Sequence, residues 1–159
     1  MRKIFGVLVL LLVMVSPSVS LGLELPDSVG EWRSVNEHVV PLVLSADSED
    51  LGRIVYRDYI RESPRGSLQV ILTEGAGTGS LYVPERVRDS KGMMPSDSLY
   101  RVLDVAGHGA ILEAQSYMPV ALAVKAGDNI VLTIETASLS EAEVVKFAEE
   151  ILSLWSSTK

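Results

Sequence analysis

From Leu99 onward the chain reads as β-prone runs separated by turns, and at Ser140 the apolar period lengthens to that of a helix. Leu99–Val105 predicts a strand, Ala106-Gly107-His108-Gly109 a tight turn, and Ala110–Tyr117 a second strand. Pro119–Lys125 and Ile130–Thr136 flank Ala126-Gly127-Asp128-Asn129, where Gly and Asn tolerate the positive φ of a hairpin turn. In the last strand Ile130, Leu132 and Ile134 share one face, while Val131, Thr133 and Glu135 share the other. One apolar and one mixed face is the pattern of a sheet covered on one side. The cover is a helix predicted over Ser140–Trp155. Ser140-Glu141-Ala142-Glu143 has the form of a capping box, with its acids at the positive end of the helix dipole. Val144, Phe147, Ala148, Ile151 and Trp155 then make one apolar stripe, and Lys146 can pair with Glu150. Burying Val144, Phe147 and Ile151 contributes roughly 1.5–3 kcal/mol each, so the stripe requires a sheet to lie on.

Earlier in the chain the pattern is less regular. Turn-forming residues from Leu25 to Glu31 surround Trp32, which is expected to plug the core. Val39–Leu44 reads as a first strand that Pro41 restricts to an edge. Arg53–Arg61 and Ser67–Thr73 form a hairpin about Glu62–Gly66, and the nearly continuous apolar run Leu68–Leu72 marks a central strand. Val83–Asp89 predicts a short helix with Pro84 in its first turn, and Ser90–Ser98 an exposed loop.

Composition adds a compartment. Arg2 and Lys3 precede an unbroken apolar run from Ile4 to Val15, followed by the small residues of Ser16-Pro17-Ser18-Val19-Ser20. Basic, apolar and small-residue regions in that order predict a secretory signal over residues 1–22, cleaved after Ser20 or Gly22. The remaining residues 23–159 have the length of a single domain. The apolar run is shorter than the ~20 residues of a membrane span, so no stable span is expected after cleavage; an uncleaved anchor is the alternative. The sequence holds no cysteine, which removes a lipoprotein anchor, a disulfide framework and any thiol nucleophile. A net charge of −7 disfavours nucleic acid as a partner. Arg53, Arg57, Arg61 and Arg65 are the one basic concentration, expected at a solvated strand edge in cross-strand pairs.

Candidate chemistry is sparse. The alternating glycines Gly75, Gly77 and Gly79 could present backbone N–H groups to an anion, but no P-loop lysine and no Gly-x-Gly-x-x-Gly spacing accompanies them. Met93 and Met94 are the only apolar residues of the Ser90–Ser98 loop and could dock on the core or a ligand. The acids of Ser45–Asp50 lack the glycine and glutamate of a calcium loop. His38 and His108 are the only imidazoles, and His108, four residues after Asp104, is the better candidate for a site. No Gly-x-Ser-x-Gly elbow and no histidine pair at metal-ligand spacing is present. No cofactor, metal or catalytic group is therefore assigned.

The strands, the Gly-Asp-Asn hairpin and the Ser-x-x-Glu-capped terminal helix, mainly from Asp128 through Leu152, resemble small exported α+β proteins of the Mog1/PsbP-like kind. The resemblance implies a binding or assembly role without catalysis; it carries over no functional residue. The irregular segment from Gly75 to Ser98 departs from that pattern. A lipid carrier of the LolA-like kind is a neighbouring possibility. The sequence thus predicts an exported, periplasmic or extracellular α+β domain, with a twisted, mostly antiparallel sheet under a C-terminal helix. Its expected function is to bind a protein partner, through Gly75, Gly77, Gly79, Met93, Met94 and His108 or the second sheet face. The alternatives are a carrier of a small apolar or lipid ligand and a hydrolase using His108 with Asp104.

Overall fold

A computed structural model describes residues 23–42, 52–76, 78, 99–114 and 119–157. The expected signal segment, the Ser45–Asp50 loop, the Val83–Asp89 helix and the Ser90–Ser98 loop lie outside these residues. The described elements are β1 (Ser28–Val29), β2 (Trp32–Pro41), β3 (Gly52–Arg61), β4 (Gly66–Gly75), β5 (Leu99–Val105), β6 (His108–Ala114), β7 (Val120–Gly127), β8 (Ile130–Thr136) and α1 (Glu141–Ser157). They form one eight-stranded sheet in the order β1-β2-β3-β4-β8-β7-β6-β5, with every pairing antiparallel. Two four-strand meanders therefore meet along their last strands.

The β4–β8 seam pairs Gln69 with Glu135 through Glu74 with Ile130. Beyond it, side chains continue the ladder. The Ser138 Oγ donates to the Ser67 carbonyl at 3.0 Å and accepts from the Ser67 N–H at 3.1 Å. The buried Thr136 hydroxyl donates to the same carbonyl at 2.7 Å, so the backbone at the end of β4 is not left unpaired.

Element bounds differ from expectation where turn chemistry is tighter than the pattern suggests. The β5–β6 turn contains only Ala106 and Gly107, at φ 52° and 83°. A two-residue loop with both φ positive matches the right-handed twist of its strands, which releases His108 and Gly109 into β6. Asp128-Asn129 closes β7–β8, and a register shift between Lys125 and Gly127 absorbs the residues expected in the turn. The first long strand begins at Trp32 instead of Val39 and ends at Pro41, whose nitrogen cannot donate to a ladder. Gln115–Tyr117, expected to extend β6, lie outside the described residues.

Alternation along the strands separates two faces. On the covered face Val55, Tyr59, Leu68, Val70, Leu72, Leu112, Leu122, Val124, Leu132 and Ile134 are buried. Across it lies α1, which buries Val144, Phe147, Ala148, Ile151 and Leu152. The Phe147 ring meets Trp32 and Tyr59 edge-on, at centroid distances of 5.6 and 5.3 Å. Trp32 is 6 % exposed, the core position expected of it. Gly66 makes room for it: a Cβ there would come within 3.0 Å of the Trp32 ring and 2.8 Å of Leu139. The helix begins with the expected box. The Ser140 N–H donates to Glu143 at 3.1 Å, and the Glu143 N–H donates to the Ser140 hydroxyl at 3.4 Å.

Candidate functional site

The residues singled out in the sequence do not converge among the described residues. Gly75 is the last residue of β4, and its N–H donates to the Asn129 carbonyl at 3.0 Å, so it is not presented to an anion. Gly77, Gly79, Met93 and Met94 lie outside the described residues. His108 opens β6 half-buried, with Nδ1 3.3 Å from the Lys125 carbonyl. It pairs with Val105 across the turn, while Asp104 pairs with Gly109. Alternation therefore sends His108 and Asp104 to opposite faces. The Asp104 carboxylate instead accepts from the Gly107 N–H at 2.8 Å and closes its own turn. Between α1 and the sheet the space is filled: Tyr59, Phe147, Leu72, Leu112, Leu122 and Ile151 are all at most 1 % exposed. A cleft of about 580 Å³ opens to solvent by the β3–β4 turn and is lined by Ile60, Arg61, Glu62, Arg65, Gly66, Ser67 and Ser138.

The arginines of β3 are placed unlike the solvated edge expected of them. β3 lies inside the sheet between β2 and β4, and Arg53, Arg57 and Arg61 share the covered face with Val55 and Tyr59. Their side chains are 37 %, 12 % and 13 % exposed. Cross-strand pairing is present as expected, since Arg57 meets Glu37 opposite it on β2.

Most of their donors go elsewhere. The Arg53 Nη2 donates to the Leu23 carbonyl at 3.0 Å, Arg57 Nη1 to the Leu25 carbonyl, and the Tyr59 hydroxyl to the Pro26 carbonyl at 2.6 Å. From α1, the Trp155 Nε1 donates to the Glu24 carbonyl at 2.9 Å. Four consecutive carbonyls thus each receive a side-chain donor, and residues 23–26 are held where strand pairing is absent. Burial disfavours the Arg57 charge, but the Glu37 hydrogen bond and the adjacent Tyr59 outweigh it and raise its pKa. Burial pushes the Tyr59 phenol up to about 12, with Arg57 pulling the other way. Arg61 stacks on Trp32 at 4.6 Å and donates to Glu143 at 2.7 Å. Its hydrogen bond, with those from Ser140, holds the Glu143 carboxyl down at about 2.

The other sheet face carries a different pattern. One register row runs His38, Tyr56, Ile71, Thr133, Ala123, Ile111 and Val102 across seven strands. The neighbouring row carries Val40, Ile54, Thr73, Val131 and Lys125. On the opposite flank lie Asn36, Asp58, Gln69, Glu135, Ala121 and Glu113. There Asp58 accepts from Gln69 at 2.9 Å and from Asn36 at 3.3 Å. The centre is thus apolar with one acidic margin. Val102 is 56 % exposed, and Tyr56, Ile71 and Ile111 are half-buried. Among the described residues no helix or strand lies over this face. Sequence alternation hinted at it in β8 alone; its width follows from the pairing of β4 with β8, which no local pattern encodes.

Among the described residues no group of three or more potential metal-ligating side chains occurs, and no helix is long and apolar enough to cross a membrane. Comparison with protein-family models, with curated proteins and with solved structures found no match.

Proposed function

We propose that the protein is an exported, non-catalytic binding or assembly module that meets a protein partner through the uncovered face of its sheet. The observation that carries this reading is the row from His38 to Val102: a mostly apolar strip, broken by His38 and Thr133, across seven strands with no described helix or strand above it. Sheet faces of soluble proteins are usually packed or polar, and a wide half-apolar one is what a partner buries. The acidic margin of Asp58, Glu135 and Glu113 favours a partner whose apolar patch has a basic border. Filled packing beneath α1 weighs against a ligand carried there, and the divergence of His108 from Asp104 weighs against a hydrolase. A binding role also agrees with what the Mog1/PsbP-like resemblance implies.

The test is site-specific photocross-linking in the exporting cell, with the reactive group at Ile111 on the uncovered face or at Glu149 on the exposed side of α1. A discrete adduct from position 111, absent from 149 and lost with Ile71→Glu, is the expected result. Adducts of equal yield from both positions, or none from 111, reject the surface.

A further inference from the structure

The predicted signal leaves two cleavage points open, because Ser18-Val19-Ser20 and Ser20-Leu21-Gly22 both put small residues where a signal peptidase needs them. Contacts around Leu23 separate them. Its N–H donates to the Glu74 Oε1 at 2.7 Å, and its carbonyl accepts from Arg53 at 3.0 Å. The Arg53 Nε donates in turn to the other Glu74 oxygen at 2.6 Å. The Glu74 side chain is only 13 % exposed, and Arg53, at 37 %, faces it from one side only. The carboxylate therefore has a cation at one oxygen and the nitrogen of Leu23 at the other. From Leu23 through Pro26 all four carbonyls are held by side chains.

We propose that a signal peptidase cuts between Gly22 and Leu23, and that Glu74, held in place by Arg53, forms a binding site for the ammonium group so created. Water adds across the peptide bond, leaving a carboxylate on Gly22 and a protonated amine on Leu23. That amine replaces a neutral donor to the Glu74 carboxylate by a charged one with three protons, which adds ion-pair attraction to a hydrogen bond already assisted by the charge of its acceptor. A cut after Ser20 would instead leave the charge two residues upstream, up to about 7 Å from Leu23. Processing thereby becomes a fastening step: the mature chain is held more firmly than its precursor. The inference rests on the export part of the reading above and is independent of the binding surface.

The experiment has two arms. The full chain is expressed in an exporting host and the intact mass of the mature protein is measured. A chain starting at Leu23 is expected. A start at Leu21 overturns this inference alone, and an uncleaved chain overturns the cleaved signal with it. In the second arm, three mature chains are melted at pH 6: one starting at Leu23, one starting at Leu21, and one starting at N-acetylated Leu23. The free Leu23 chain is expected to melt about 3 °C or more above the other two. Glu74→Gln should remove that gap. The acetylated chain keeps the N–H but lacks the charge, so it remains decisive even if Glu74→Gln fails to fold. Equal midpoints for the three chains overturn the capture of the amine.

Discussion

In the β5–β8 meander the two described turns close on themselves, whereas the start of the β1–β4 meander is fastened at a distance. Ala106-Gly107 turns β5 into β6, Asp128-Asn129 turns β7 into β8, and the Ser140–Glu143 box starts α1 shortly after β8 ends. In the first meander Arg53, Arg57 and Tyr59 reach about thirty residues back to hold the 23–26 backbone, and Arg61 reaches forward to Glu143. Both halves grip the start of the same helix, through Arg61–Glu143 on one side and Arg101–Glu141 on the other. The difference teaches where cooperativity resides. Local turns join strands in both halves, but the carbonyls of residues 23–26 ahead of the first are held only by side chains of β3 and α1 among the bonds described.

The strongest test of that dependence removes the ring through which α1 meets the first meander. Phe147, on α1, touches Trp32 of β2 and Tyr59 of β3 and is 1 % exposed. Phe147→Ala should cost about 3–5 kcal/mol by urea unfolding, because it leaves a cavity between α1 and the buried rings of Trp32 and Tyr59. A loss below about 1 kcal/mol would mean that the first meander depends on α1 through other contacts.

Next in size is Arg57→Lys. An ammonium is a compact point charge and cannot reach Glu37, Asp27 and the Leu25 carbonyl together, as the guanidinium fork does. The contribution of Asp27 is small, since it is 96 % exposed, so the main penalty is a carbonyl left without its donor. About 1–3 kcal/mol is expected. Hydrogen exchange should show protection lost first at Val29 and at Ser34, whose N–H donates to the Asp27 carbonyl at 2.8 Å, while β6–β8 keep theirs. Uniform loss across the sheet would contradict a fastening confined to the first meander.

The same contrast explains what the sequence made legible. Leu99–Val105, Ile130–Thr136 and the capped helix follow from period and turn residues within a few positions, and the structure has them at or near those bounds. The role of Trp32 and the central place of Leu68–Leu72 were legible from burial logic alone. The arginines were not. A charge alternating with Val55 and Tyr59 reads as a solvated strand, because nothing in the local sequence indicates that backbone from residues 23–26 will lie over it. The uncovered face was half legible, in the mixed Val131-Thr133-Glu135 side of β8, but its continuity into Ile71 and Tyr56 depends on a pairing sixty residues apart in sequence.

A smaller effect is expected where the halves share the helix cap. Ser140→Ala removes the acceptor for the Glu143 N–H and should cost about 1 kcal/mol. Glu143 adds a pH signature. Its carboxyl titrates near 2 in the fold, held down first by Arg61 and then by Ser140, against about 4.3 when unfolded. A depressed folded pKa means that the contribution is complete above the unfolded value and is lost as pH falls from about 5 toward 2. Glu143→Gln should therefore flatten the acid limb of the stability profile in that window and leave its neutral part parallel to the wild type. An unchanged acid limb would show that the Arg61 pair contributes nothing there.

The smallest effect on stability is expected at Val102, and there the two faces of the sheet can be told apart. Val102 and Leu103 are neighbours on β5, yet Val102 is 56 % exposed on the uncovered face while Leu103 packs against the core. Val102→Thr keeps the branched shape and the strand preference while adding a hydroxyl that water can satisfy, so unfolding should shift by no more than about 0.5 kcal/mol. Leu103→Thr places the same hydroxyl against apolar neighbours and should cost several times more. If the uncovered face is a contact surface, Val102→Thr should nevertheless lower the cross-linking yield from position 111. A stable variant with undiminished cross-linking would exclude the β5 end of the row from the contact, and a Val102→Thr loss matching that of Leu103→Thr would make this face part of the core.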